Sequence, residues 1–478
     1  MMSGNRLALV VLSAAQLMVI LDGTIVTVAL PAIQHDLGFS QAGLVWVTNA
    51  FLVPFGGLLL FAGRLGDLLG ARRIFLSGLV VFTAASVLCG LASGPVMLIG
   101  ARFVQGAGAA LASAVVLGMI AGLFPEPGDQ ANAFGVFAFT GSAGASIGVV
   151  AGGVLTQVAS WHWIFLINAP VGVAAVLLAI RVLPTGRGAG LAGGADVAGA
   201  ALVTAGLMLG VATIVQVPQR GWDSAYTIGM GMLSVLLLAA FVVRQATAAR
   251  PLLPLGLFRS RRLTVANLVL FTMVATGFTF QFLTALYLQN VLGYGPLRTG
   301  LAYLSITAAI GVSSLLVSAR LAVRFGALLV LLTGLILFVA GITWLARLRT
   351  DGTYSVDLLP SMVMMGTGFG LAMPQVTAIA MAGAETRYAG LASGLFTTTQ
   401  QVGGSLGVAV LGTVAASHAD RLITAGTNPL VAATSGFRLA FALAAVLLAS
   451  GTVLAAVALR ARRPSRVPVA RELEESAC

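Results

Sequence analysis

Two charged residues stand inside long apolar runs of this sequence, Asp22 and Arg102. Asp22 is the only acid well inside such a run. A bare carboxylate at the centre of a membrane helix costs at least about 2.5–3.5 kcal/mol on insertion scales. Removal from water favours its neutral form, so a carboxyl there can take up and release a proton; a nearby guanidinium favours the charged form instead. Other chemistry has little material. All 26 basic residues are arginine, which excludes a Walker-type phosphate loop and a Schiff-base lysine. Cys89 lies in an apolar run and Cys478 is the last residue, so no disulfide framework is expected. His35, His162 and His418 are far apart, and no HxxxH or CxxC spacing occurs, so no metal site is expected. The spans offer no constellation of nucleophile and base for an enzyme.

The elements that must position these residues are membrane helices. Of 478 residues, 59% are hydrophobic and 8% charged, with a mean hydropathy of +1.02. A soluble domain carries about 25% charged residues, so a soluble enzyme or nucleic-acid binder is excluded. Apolar runs of the roughly 20 residues that cross a bilayer number about fourteen: 7–30, 43–62, 74–93, 97–122, 132–157, 163–183, 196–216, 226–244, 264–289, 299–319, 326–346, 358–382, 391–415 and 437–460. The first continues past Ser13-Ala14-Ala15 to Leu30, which reads as a span rather than a cleaved leader. An even count puts both termini on one side. With the termini in the cytoplasm, 19 arginines fall in cytoplasmic segments and 6 in external ones, the bias of the positive-inside rule. The same bias accounts for the net charge of +12 without a nucleic-acid partner. Only the loop Pro125 to Gln130, with Glu126 and Asp129, runs against it. Asp22 then lies roughly 12 Å inside the external end of its span, and Arg102 roughly 8 Å inside its own. The similar depths make a partnership between them plausible.

The chain repeats itself. The segment Gly63 to Arg73 recurs 256 positions later as Ala319 to Leu329, sharing Arg64/Arg320, Leu65/Leu321, Gly70/Gly326 and Ala71/Ala327. The second copy lacks the Asp and the Arg pair. Internal repeats of this kind mark secondary transporters. The expected division is a six-helix bundle over 1–185, a two-helix insertion over 186–258, a second six-helix bundle over 259–460 and a cytoplasmic tail over 461–478.

Several stretches resemble the signatures of the major facilitator superfamily, specifically its fourteen-span drug:proton antiporters. Leu21-Asp22-Gly23-Thr24-Ile25-Val26-Thr27-Val28-Ala29-Leu30-Pro31 is similar to that group's first-span signature, with Thr27 where Asn is usual. Arg102-Phe103-Val104-Gln105-Gly106-Ala107-Gly108-Ala109-Ala110 matches the fourth-span pattern. The loop with Gly63, Asp67, Gly70, Arg72 and Arg73 resembles the one that latches the cytoplasmic ends of the two halves, with Ala71 in place of a frequent Arg. Gly141, Gly144, Gly148, Gly152 and Gly153 resemble the antiporter glycine motif, with Val149 where Pro is expected; their spacing puts the first four on one helix face. Trp161 to Gly172 resembles a sixth-span motif, with His162 in place of Arg; its paired tryptophans are expected at the outer interface as anchors.

The resemblance implies an all-α polytopic fold of two six-helix bundles plus two central spans. It also implies a proton-coupling set of Asp22, Arg102 and Gln105, no cofactor, and the proton motive force as driver. The expected partners are a small amphipathic substrate, protons and membrane lipid, with the chain a monomer in the cell membrane. Aromatic, thioether and uncharged polar residues suit an adaptable pocket, and a cavity is expected from Thr24, Asn49, Phe278, Gln281, Phe282, Tyr287, Met365, Gln375 and Gln400. No acid lies inside the second-half spans, which favours neutral, zwitterionic or weakly charged cargo. The expected activity is proton-driven export of antibiotics or similar compounds. Export of a siderophore or lipid-like metabolite, or import of a nutrient, stays open because fold does not decide cargo. A membrane sensor is the remoter reading.

Overall fold

Gly70 and Gly326, the glycines of the repeat, share one backbone state. Their φ values are +99° and +88°, and each stands just before a helix. Only glycine takes this conformation cheaply, so the repeat is a repeat of turns as well as of letters. The structure is a computed structural model that describes residues 2–39, 41–186, 188, 190, 196–248, 251, 255–383 and 388–459. The expected tail 461–478 and Arg187, Arg250 and Arg387 lie outside the described residues.

The first half holds α1 (Met2–Leu37), α2 (Gln41–Leu69), α3 (Ala71–Gly90), α4 (Pro95–Leu123), α5 (Pro127–Val158) and the broken pair α6 (His162–Leu166) and α7 (Asn168–Val182). A central pair follows, α8 (Val197–Arg220) and α9 (Ala225–Thr247). The second half begins with α10 (Arg261–Leu286), which runs on into a π-helical turn, Tyr287–Val291. Next come α11 (Pro296–Ala302), α12 (Leu304–Val312) and α13 (Ala319–Phe325), the last two joined by a π-helical segment, Ser313–Ser318. The half ends with α14 (Ala327–Leu345), α15 (Leu359–Ala382), α16 (Ala389–Thr424) and α17 (Pro429–Ala458). Proline opens α4, α5, α11 and α17 at the first or second position, where its missing N–H costs nothing.

Each of the fourteen expected spans falls on helix. Among the described residues, twelve helices are long and apolar enough to cross a membrane. The expected spans 132–157 and 196–216, on α5 and α8, are not among the twelve; α8 carries a shorter apolar stretch, Ala198–Ile214. The molecule is therefore a multi-span helical membrane protein.

The pairing of helices repeats as the sequence does. In the first half α1 packs on α5 and α7, α2 and α3 pack on α4, and α3 packs on α7. In the second, α10 packs on α16 and α17, α12 and α14 pack on α15, and α14 packs on α17. The halves meet along two seams. One sets α2 and α4 against α16; the other sets α5 against α12, α13 and α15. Small residues make these close approaches possible. A Cβ on Gly394 would lie 2.7 Å from the Leu59 carbonyl oxygen, and one on Gly135 would lie 2.4 Å from that of Ser314. The central pair breaks the symmetry. α8 lies against both α2 and α16, and α9 packs on α8. Asp196 caps α8 through the Gly199 N–H and ties the pair together by accepting from Arg244 at 2.6 Å and Gln245 at 2.8 Å.

Candidate functional site

Arg102 on α4 and Asp22 on α1 are both fully buried, and they form an ion pair at 2.5 Å. A buried charge is tolerated only when it is paired and hydrogen-bonded; both groups are, although Arg102 Nη2 has no partner among the described residues. Arg102 Nη1 also donates to Gln105 Oε1 at 2.7 Å, and its Nε donates to the Val47 carbonyl of α2 at 3.0 Å. The guanidinium lies over the rings of Phe51 and Phe165, 4.5 and 5.6 Å from their centroids. The other oxygen of Asp22 accepts from Gln105 Nε2 at 2.8 Å and from Asn168 Nδ2 at 3.1 Å. Ser86 Oγ accepts from both amides and donates to the Phe165 carbonyl at 2.9 Å.

The network draws on α1, α2, α3, α4, α6 and α7. It unites Asp22, Arg102 and Gln105 as the sequence led us to expect, and adds Ser86 and Asn168. Asn168 stood in a recognised motif without a role; Ser86 carried no signal, since a serine in a span is unremarkable. Beyond the network, towards the end of the bundle that carries Leu37, an apolar cluster of Ile25, Ile33, Leu98 and Trp161 closes over the site. Trp161 is only 3% exposed and donates its indole N–H to Asp36 at 2.9 Å, so it is not the interfacial anchor expected of it; Trp163, 53% exposed, is free to serve as one.

The glycine face of α5 packs on α1 beside Asp22. A Cβ on Gly144 would lie 3.0 Å from Leu17, one on Gly148 2.0 Å from Thr24 Oγ1, and one on Gly152 2.8 Å from the Ile25 carbonyl. Gly153 lies on the same helix, with its contacts outside the described ones.

The loop over Gly63 to Arg73 works at the opposite, arginine-rich end. Asp67 accepts from the backbone N–H of Gly390 at 2.7 Å and of Leu391 at 2.9 Å, in the first turn of α16. A carboxylate there meets free N–H groups and the positive end of the helix. Gly63 lets the backbones meet, since a Cβ on it would lie 2.5 Å from the Gly390 carbonyl oxygen. Arg72 donates to the Ile180 carbonyl in the last turn of α7, while Arg73 is exposed. Beyond α7, the Gly190 N–H donates to the Leu68 carbonyl of this loop at 2.9 Å.

The expected cavity set divides. Phe278, Gln281 and Phe282 share one exposed face of α10, and Gln400 on α16 is half-buried. Thr24 packs on α5, and Asn49 is buried on α2. Tyr287, Met365 and Gln375 do not line open space. Tyr287 is buried in a π-turn with its hydroxyl donating to the Arg349 carbonyl. Met365 fills the gap over Gly341, and Gln375 spends its amide on Ser318 at 3.0 Å.

The fold and the site define a class: a multi-span helical membrane protein whose helix pairings repeat, with two seams between the repeats and a buried ion pair in one repeat. The chain belongs to the Major Facilitator Superfamily, a family of membrane transporters, whose model it matches over residues 12–408. It is similar to puromycin resistance protein pur8 of Streptomyces alboniger, 39% identical over 461 residues, 95% of this chain and 91% of that one. It is also similar to cephamycin export protein CmcT of Amycolatopsis lactamdurans, 37% identical over 417 residues, 86% and 85% of the two chains. The human organic anion transporter MFSD10 shares the fold, with a TM-score of 0.66 at 16% identity over 94% of this chain and 99% of that one.

Proposed function

We propose that this transporter exports small amphipathic compounds of the antibiotic kind across the cell membrane, in exchange for protons. The observation that carries the reading is the buried Asp22–Arg102 pair with its amide ligands. Puromycin resistance and cephamycin export are the named roles of relatives that align along most of this chain. We place both termini in the cytoplasm, so that the arginine-rich end with the Asp67 latch is the cytoplasmic one. The bundles 1–185 and 259–460, the central pair 186–258 and fourteen spans in all belong to the same reading, as do a monomeric state and the absence of a cofactor.

In the latched state the Asp22 carboxylate is held by Arg102, Gln105 and Asn168. Proton uptake removes its charge and releases Arg102 from it. Arg102 remains bound to Val47 and lies over Phe51, both on α2. The same helix carries Gly63 and Asp67 at its other end. A shift of α2 at the proton site therefore reaches the latch on α16 along one helix. Protonation and rocking of the halves become two readings of one equilibrium.

The test is puromycin export in everted vesicles under an imposed pH gradient. Asp22→Asn should abolish gradient-driven export while the protein still reaches the membrane. Export by Asp22→Asn at the wild-type rate, with the same gradient dependence, would overturn the reading.

A further inference from the structure

The two seams follow one plan but close differently. On the first, Asp67 bonds the start of α16 at Gly390 and Leu391. The repeat carries Asp67 to Val323 on α13. Gly390 is the second residue of α16, and Gly128 holds the same place in α5, the helix that packs on α13 as α16 packs on α2. At that place a methyl group of Val323 would lie 3.4 Å from a Cβ on Gly128, and the first turn of α5 receives no side-chain cap. A polar latch on one seam is thus an apolar touch on the other, while α8 lies against the first seam.

A groove of about 420 Å³ opens where the latch is missing, lined by Gly128, Asn132, Leu315, Ala319, Arg320 and Val323. That volume is in the range of small-molecule sites. Leu315, Ala319 and Val323 give its wall three aliphatic side chains, and its polar side chains are one amide and one guanidinium. Arg320 is exposed and takes part in none of the ion pairs among the described residues. The acids of the neighbouring loop, Glu126 and Asp129, are exposed and outside the lining. A guanidinium beside an amide recognises a carboxylate or phenolate and disfavours a cation, and the aliphatic wall takes a ring system.

We propose that the groove between α5 and α13 is a docking site for amphipathic cargo that bears a carboxylate or phenolate group. The inference rests on reading the chain as an exporter and adds to it one class of cargo, distinct from the amine-bearing puromycin used above. Fluorescein and a cationic rhodamine share a xanthene skeleton and differ in charge, which makes them matched probes. Binding of each to the purified full-length protein is followed by fluorescence anisotropy in phosphatidylcholine vesicles, without a gradient. The readout therefore stands or falls separately from proton coupling. Wild type should bind fluorescein more tightly than the rhodamine. Arg320→Gln should weaken fluorescein binding about tenfold, the loss of one charge-assisted hydrogen bond, and leave rhodamine binding unweakened. Val323 is 75% exposed, so Val323→Trp fills the groove without disturbing a core, and it should weaken fluorescein binding as well. Absence of fluorescein binding to wild type, or equal affinity in all three proteins, overturns the proposal. So does a loss seen only when phosphatidylglycerol is added to the vesicles, because the groove would then be a lipid site.

Discussion

Asp22 and Arg102 each depend on the other for a tolerable burial. Removing one partner of a buried pair leaves the other uncompensated, at a cost of about 3–5 kcal/mol. Arg102→Ala should therefore lower thermal stability by that order, and Asp22→Asn in the same chain should restore part of the loss. Equal melting temperatures for Arg102→Ala and the double variant would show that the pair carries no such coupling. Asn168→Ala removes one donor from the carboxylate and leaves Ser86 short of one contact, so a smaller loss of about 1–3 kcal/mol is expected in the same assay. The pair was legible in the sequence because a charge in an apolar run stands out without any structure. Ser86 and Asn168 were not, since neutral polar residues are scattered through the spans. Residues 86, 105 and 168 become neighbours only when α3, α4 and α7 pack together.

At the scale of elements, the glycine spacing of α5 foretold a flat face but not its partner. Packing assigns that partner as α1, with Thr24 over Gly148. Gly148→Ala forces a Cβ into the Thr24 hydroxyl, and overpacking of this kind costs about 1–3 kcal/mol. Transport and stability should both fall, and Thr24→Ala should rescue Gly148→Ala in part, since the Leu21 carbonyl would still lie 3.1 Å from the new Cβ. No rescue would mean that the glycine is needed for something other than this contact. The expected cavity fared less well on α10 and α15. Tyr287, Met365 and Gln375 have the residue types of a binding pocket, but residue type alone does not tell which face of a helix is turned outward. At the central pair, burial pushes the Asp196 carboxyl up, but the Gly199 N–H, Gln245 and Arg244 together bring it below its ordinary value. Its contribution to stability is therefore present above the ordinary carboxylate range and is lost as pH falls through that range and below. Acid should loosen α8 from α9 in the wild type and not in Asp196→Asn, as read by hydrogen exchange at the ends of the two helices.

For the whole molecule, the repeat in the sequence foretold two halves, and the turns at Gly70 and Gly326 with the matched helix pairings carry it into three dimensions. The inequality of the two seams was half legible, because the second copy visibly lacks the Asp. What fills its place, Val323 against Gly128 beside an open groove, is a matter of packing between distant segments. Spin labels at Arg73 and Val323, both exposed at the arginine-rich end and in different halves, report on closure there. Asp67→Ala should shift their distances to longer values, and an unchanged distribution would show that the latch does not hold that end shut. The central claim is that Asp22 exchanges its proton against cargo. Its most direct test is proton release from purified protein in unbuffered detergent solution on addition of puromycin. Wild type should release protons on binding and Asp22→Asn should release none. Equal release from both proteins would contradict the assignment of the proton to Asp22.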